Sequence, residues 1–266
     1  MAKHILEGVG EIIDEAFSLN DCKIGKSPHY RHIKSCKRIS VNPVQKFDGE
    51  KLCTSILKKI KSNRVETRSP SLENWRVESQ KYIHSGNGSP EVKLERAIVN
   101  LPDNNKWINA VPTSSGLVNG RADKKRNIDL IYDCGEKSFE FIELKVESNT
   151  PLYAAMEILQ YGILYVFTRV NKQLSSAAKS DKLLTAETIH LRVLAPSNYY
   201  KDYELGWLEL KICNGLTSFL NNLKLDTQWQ MDFRFDAFPS NFQMTDSTTQ
   251  EQIKEALKDR AGFYDM

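Results

Sequence analysis

No run of apolar residues in this 266-residue chain approaches the ~20 that a membrane-spanning helix needs, so no membrane association is expected. The opening residues, MAKHILEGVGEIIDEAF, interleave acids with apolar positions and lack the shape of a signal peptide. Cysteine is scarce. The five present are an odd number at irregular spacing, which fits reduced thiols rather than a disulfide framework. These absences together point to a cytoplasmic protein. Internal repeats and low-complexity tracts are also missing, which excludes solenoids and tails. Structural zinc is disfavoured as well. Cys22, His29, His32 and Cys36 lie near one another, but without the tight paired cysteines of a zinc module, and a basic loop is the better reading.

What the chain does have is charge, unevenly placed. From Lys23 to Arg68 there are 13 Lys and Arg against 3 Asp and Glu; from Asp226 to the end there are 4 against 8. A basic segment ahead of a carboxylate site suits a polyanionic partner, although solvated basic faces are common. Residues 5–19 carry an apolar helical stripe at Ile5, Val9, Ile12, Ile13 and Phe17. Residues 20–49 show no clear period and are expected as loops or short strands. Residues 50–62 pattern as a helix with Leu52, Ile56, Leu57 and Ile60 inward and lysines outward. A further helix is expected near Leu72 to His84, followed by a Gly-Asn-Gly linker. The composition divides there: a basic, helical and loop region over 1–88, then an α/β domain over 89–266.

The second region is organised around residues 127–165. Ile128, Leu130 and Tyr132 alternate with Asp129, Ile131 and Asp133, giving a strand whose Asp129 faces away from the first set. Gly135, Glu136 and Lys137 make a turn. A second strand from Phe139 to Val146 places Phe139, Phe141, Glu143 and Lys145 on one face. Asn149 or Thr150 then caps an apolar helix that begins at Pro151. Asp129, Glu143 and Lys145 can therefore meet at one end of a hairpin. The two carboxylates are hard oxygen ligands suited to Mg²⁺, and the lysine on the same face can act on an attacking water or on charge developing at phosphorus. Lys106 to Leu117 reads as a strand and a loop, and Ile189 to Leu194 as a further strand. A helix over 202–223, a strand over 228–238 and a terminal helix over 248–260 follow. Arg121, Lys124, Lys125 and Arg126 precede the Asp129 strand and are placed to grip a nucleic-acid backbone.

Asp129, then Glu143-Leu144-Lys145 on the next strand, then a helix, resembles the PD-(D/E)xK, or restriction-endonuclease-like, nuclease superfamily. Ile128 stands where that family has proline, which leaves the metal ligand in place. The order helix, strand, strand, strand, helix, strand over residues 90–195 is similar to the family core. The resemblance implies an αβββαβ core, a central mixed β-sheet flanked by helices, with the basic N-terminal region as an extension. It implies a nuclease that uses Mg²⁺, or Mn²⁺, to hydrolyse phosphodiesters, with DNA the expected substrate. Asp129 and Glu143 would be metal ligands, with the Leu144 carbonyl as a further one. Glu95, mid-helix on the helix over 90–101, is a better match than Glu91 for the family's additional acid. Gln160 is the expected auxiliary polar residue, although the family's Gln-x-x-x-Tyr is broken by Leu164. A homodimer is compatible with the sequence. The rival reading is a non-catalytic nucleic-acid-binding protein that keeps the fold; a blander one is a hairpin with solvated charges.

Overall fold

A computed structural model describes residues 3–21, 24–81, 88–102, 104–118, 126–175, 182–223 and 229–264. In chain order the elements begin with helices α1 (Val9–Ala16), α2 (Ile33–Val41), α3 (Gly49–Asn63) and α4 (Pro90–Val99), then strands β1 (Trp107–Pro112), β2 (Asn127–Gly135) and β3 (Ser138–Leu144). Helices α5 (Pro151–Val170) and α6 (Lys172–Ser175), strand β4 (Thr188–Pro196), helix α7 (Gly206–Asn222), strand β5 (Gln230–Phe238), helix α8 (Gln250–Lys258) and the short β6 (Ala261–Gly262) follow. The strands form one open mixed sheet in sequential order. The β1–β2, β2–β3 and β5–β6 pairs are antiparallel, and the β3–β4 and β4–β5 pairs parallel. The parallel pairs are bridged by α5 and α7, the crossovers that parallel neighbours need. The chain is an α/β protein.

Local chemistry explains the boundaries. Asp48 caps α3 by accepting from the Lys51 N–H at 2.9 Å, and Thr150 caps α5 by accepting from the Tyr153 N–H, with Pro151 in the first turn. Thr249 and Gln252 form a reciprocal capping box at α8. The β2–β3 hairpin turns on Glu136 and Lys137, both with positive φ, preceded by Gly135 at φ 87.

The larger core lies between one face of the sheet and the helices α1, α3, α5 and α7. Leu52, Ile56, Leu57 and Ile60 of α3 are buried in it, as their spacing predicts. A smaller core on the opposite face joins Leu94 and Ile98 of α4 and Ile253, Ala256 and Leu257 of α8 to Leu130, Ile142, Leu144, Leu194 and Phe238. The β2–β3 hairpin therefore packs against a core on each of its faces. Residues 1–88 differ in composition from the rest. In space, Val9, Ile13, Ile56 and Leu57 share the larger core with α5 and the sheet. Helix α3 crosses α7 at glycine. A Cβ on Gly215 would stand 2.4 Å from the Gly49 carbonyl carbon, so the two backbones touch.

Two sequence expectations fail here. Residues 20–49 contain a regular helix, α2, whose face of Cys36 and Ile39 is buried while Ile33, Lys34, Lys37, Arg38 and Val41 are exposed. The helix expected over 72–84 does not form in its described part, residues 72–81. Trp75 sits at φ 62, outside helical space, because its N–H is held by the Pro112 carbonyl and its indole by Thr168 Oγ1. The Arg76 guanidinium then spans the Asn109 and Ala110 carbonyls, tying this segment to β1. Among the described residues no helix is long and apolar enough to cross a membrane.

Candidate active site at the end of the hairpin

The β2–β3 ladder runs to the pair Leu130↔Ile142. One register step further sets Asp129 opposite Glu143, and there the strands part. The Leu144 N–H donates to Asp129 Oδ2 at 2.9 Å, and β3 continues beside β4, with the Lys145 N–H on the Leu194 carbonyl. The space between the strands is filled by side chains. Lys145 Nζ lies 2.5 Å from Glu143 Oε1 and 3.5 Å from Oε2 of Glu157, which reaches in from α5. The Tyr153 hydroxyl donates to Oε1 of Glu157 at 3.3 Å.

The site holds three carboxylates against one ammonium. Burial, then the charges of Asp129 and Glu157, push the Glu143 carboxyl well above its usual range. Burial raises Asp129 to about 6, opposed chiefly by the Lys145 charge. Asp129 as a residue keeps some exposure. Oε2 of Glu143 is buried and accepts from no donor. Burial opposes the Lys145 charge, but Glu143, Glu157 and Asp129 outweigh it and hold the ammonium above the ordinary lysine range.

The acids of α4 take different parts. Glu95 is buried; Asn109 Nδ2 donates to its Oε1 at 2.6 Å and Arg96 lies 3.3 Å from the same oxygen. Burial, then the Asp129 charge, raises it to about 7, so it is within electrostatic reach of the hairpin acids without bonding to them. Glu91 is more exposed and accepts from Ser89 Oγ and from the Val146 and Ser148 N–H groups. Burial alone would raise its pKa, but these hydrogen bonds bring it to about 2. It pins the loop that follows Lys145.

The structure thus brings Asp129, Glu143 and Lys145 together, with Leu144 supplying an N–H and its side chain buried in the smaller core. Gln160 is near but not in the cluster: its Nε2 donates to the Met156 carbonyl at 2.7 Å, and it lines an adjoining crevice with Glu157. Arg126 lines the same crevice and binds His4 Nδ1 at 2.9 Å. Arg121, Lys124 and Lys125 lie outside the described residues, as does Cys22. His29 Nδ1 and His32 Nε2 bond the Ile24 and Lys26 carbonyls, and Cys36 is buried, its thiol pushed up to about 11 by burial.

Glu157 is the site residue that sequence reasoning missed. Its signal was present: it is the single carboxylate in the twenty residues of α5. Among the described residues no three His, Cys, Asp or Glu side chains are grouped as a ready-made metal cage. No family model, no curated protein and no solved structure matches the chain.

Proposed function

We propose that the protein is a metal-dependent nuclease that hydrolyses phosphodiester bonds, with DNA as substrate and a restriction-endonuclease-like core formed by α4, β1, β2, β3, α5 and β4. The observation that carries this reading is the meeting of Asp129, Glu143 and Lys145 where β2 and β3 part. A purely structural cluster has little reason to gather three carboxylates, one of them buried, beside one buried ammonium, because unpaired buried charge is costly.

The residues fit a divalent cation. The donor set is hard oxygen, Glu143 Oε2 has no donor, and the two carboxyl groups are raised chiefly by burial, a cost that a bound cation would offset. Mg²⁺ keeps several waters and takes one or two protein carboxylates, so a full protein cage is not required. Asp129 and Glu143 would hold Mg²⁺ or Mn²⁺, with the Leu144 carbonyl beside them and Glu95 acting through water. The bound ion would polarise the phosphoryl oxygens and acidify a water. Lys145 would orient that water or balance the charge that develops on phosphorus. Glu157 keeps the ammonium in place, and Glu91 fixes the loop beyond it.

The experiment is cleavage of supercoiled plasmid DNA, with an RNA control, in Mg²⁺, in Mn²⁺ and in EDTA, for the parent and for Asp129→Asn. Nicked or linear product is expected only from the parent with metal. Intact DNA and RNA in both metals would overturn the reading.

A further inference from the structure

Beside Glu157 a crevice of about 20 Å³ is lined by Tyr30, Arg31, Arg126, Tyr153, Glu157 and Gln160, among others. It has room for about one water, so a larger anion can rest only at its mouth. Its walls come from both halves of the chain: Leu6, Tyr30 and Arg31 from the segments before α2, Arg126 from the entry to β2, the rest from α5. Two of its side chains are guanidinium groups. We infer that Arg31 and Arg126 form a seat for the backbone phosphate next to the scissile one, so that the basic N-terminal region supplies part of the substrate site. The inference rests on the nuclease reading.

Three observations carry it. The first is orientation. Arg31 Cζ lies 5.3 Å from the centroid of Tyr153 and 5.7 Å from that of Tyr30, and the two rings stack on each other at 6.1 Å and 14°. A guanidinium beside two aromatic rings and next to the Tyr30 hydroxyl still has N–H donors for an acceptor such as phosphate. Arg31 is exposed, so that edge is reachable.

The second is distance. Lys145 Nζ lies 5.8 Å from the centroid of the same Tyr153 ring. Lys145 and Arg31 are therefore separated by no more than those two distances together, so both can reach one short stretch of a single strand. The Tyr153 hydroxyl completes the link by donating to Glu157, which contacts Lys145.

The third is charge. Lys145 is engaged by Glu143 and Glu157, and the carboxylates leave the cleft negative. A polyanion approaching it needs cations that flank the cleft. Arg31 and Arg126 stand on that flank, and Arg126 is fixed by His4. His4 is held neutral: burial first, then the Arg126 charge, lowers its pKa.

The test compares the parent with Arg31→Met and Arg31→Lys. Binding to a labelled duplex oligonucleotide is followed against salt with Ca²⁺ in place of Mg²⁺, and cleavage kinetics are measured with Mg²⁺. Arg31→Met should weaken binding about tenfold and reduce the slope of log affinity against log salt by about 0.9, one phosphate contact. It should raise KM more than it lowers kcat. Arg31→Lys should restore most of the slope and less of the affinity, since it keeps the charge and loses the planar fork. Melting temperatures equal to the parent's show that the variants fold. Parent affinity and slope in Arg31→Met, or a parent that binds no DNA, would overturn the seat. A parent that binds DNA with a slope lost in Arg31→Met, yet cleaves nothing in Mg²⁺ or Mn²⁺, would support the seat and remove the nuclease reading. Cleavage by Arg31→Met with the parent's KM and kcat would do the reverse.

Discussion

Replacing Asp129 by Asn should make the metal-free protein more stable, and the gain should depend on pH. The Asp129 carboxyl titrates at about 6, against 3.8 for an unperturbed aspartate. A folded pKa above the unfolded one means that the folded state binds the extra proton. Asp129 therefore costs nothing below about pH 4, and its cost grows as pH rises through 6. Two units at 1.36 kcal/mol each give about 3 kcal/mol at pH 8. The residue keeps some exposure and its charge interacts with that of Glu143, so about 1–3 kcal/mol is the expected size. Asn keeps the oxygen that accepts the Leu144 N–H and carries no charge to desolvate. For a chain of this length each kcal/mol moves the melting temperature by about 2–4 °C, so calorimetry in EDTA at pH 8 should place Asp129→Asn about 2–12 °C above the parent. At pH 4 the two should melt together. Saturating Mg²⁺ should raise the parent's melting temperature at pH 8 by mass action and leave the variant's nearly unchanged. A variant that melts below the parent at pH 8, or a gap that does not vary with pH, would refute the account of a charge-burdened cleft.

Lys145→Met should lower plasmid cleavage by ~10² or more while Mg²⁺ binding survives in a calorimetric titration; cleavage at the parent rate would leave Lys145 a structural charge only. Glu95→Gln should lower metal-dependent cleavage more than Glu91→Gln, and equal losses would mean that the wrong acid of α4 has been chosen. Glu91→Gln should instead destabilise the fold at neutral pH. Its folded pKa lies near 2, below the usual 4.5, so its stabilisation is present above 4.5 and is lost as pH falls through 2; the difference from the parent in a urea titration should shrink over that interval. Gly215→Ala should cost about 1–3 kcal/mol by forcing α3 and α7 apart, and an unchanged urea midpoint would mean that the helices can shift freely.

The hairpin and its helix were readable because their signals are local. Gly135 marks the turn, Thr150-Pro151 starts α5, and the Glu-Leu-Lys spacing puts 143 and 145 on one face. What escaped depends on distant partners. Trp75 lies in a segment with helical-looking spacing, but the Pro112 carbonyl and Thr168 hold it in a left-handed backbone. Helix α2 has only Cys36, Ile39 and two serines as its buried face, too polar a stripe to announce itself. Arg31 gains its orientation from Tyr153, which no spacing in the sequence connects to it. Glu157 was legible as a lone acid on an apolar helix, yet its role follows only from where α5 crosses the sheet.

The contact of Gly49 with Gly215 has a bearing on how the chain is born. Helices α1 to α3 leave the ribosome before α7, with Leu52, Ile56, Leu57 and Ile60 in search of cover. Their cover includes α7, which at ~5–20 residues per second follows on the order of ten seconds later. During that wait the nascent segment is an amphipathic helix without a partner, the kind of surface that draws other chains into aggregates. The lysines at 51, 58 and 61, exposed in the finished protein, place like charge beside that stripe and keep neighbouring nascent chains apart until the crossing can close.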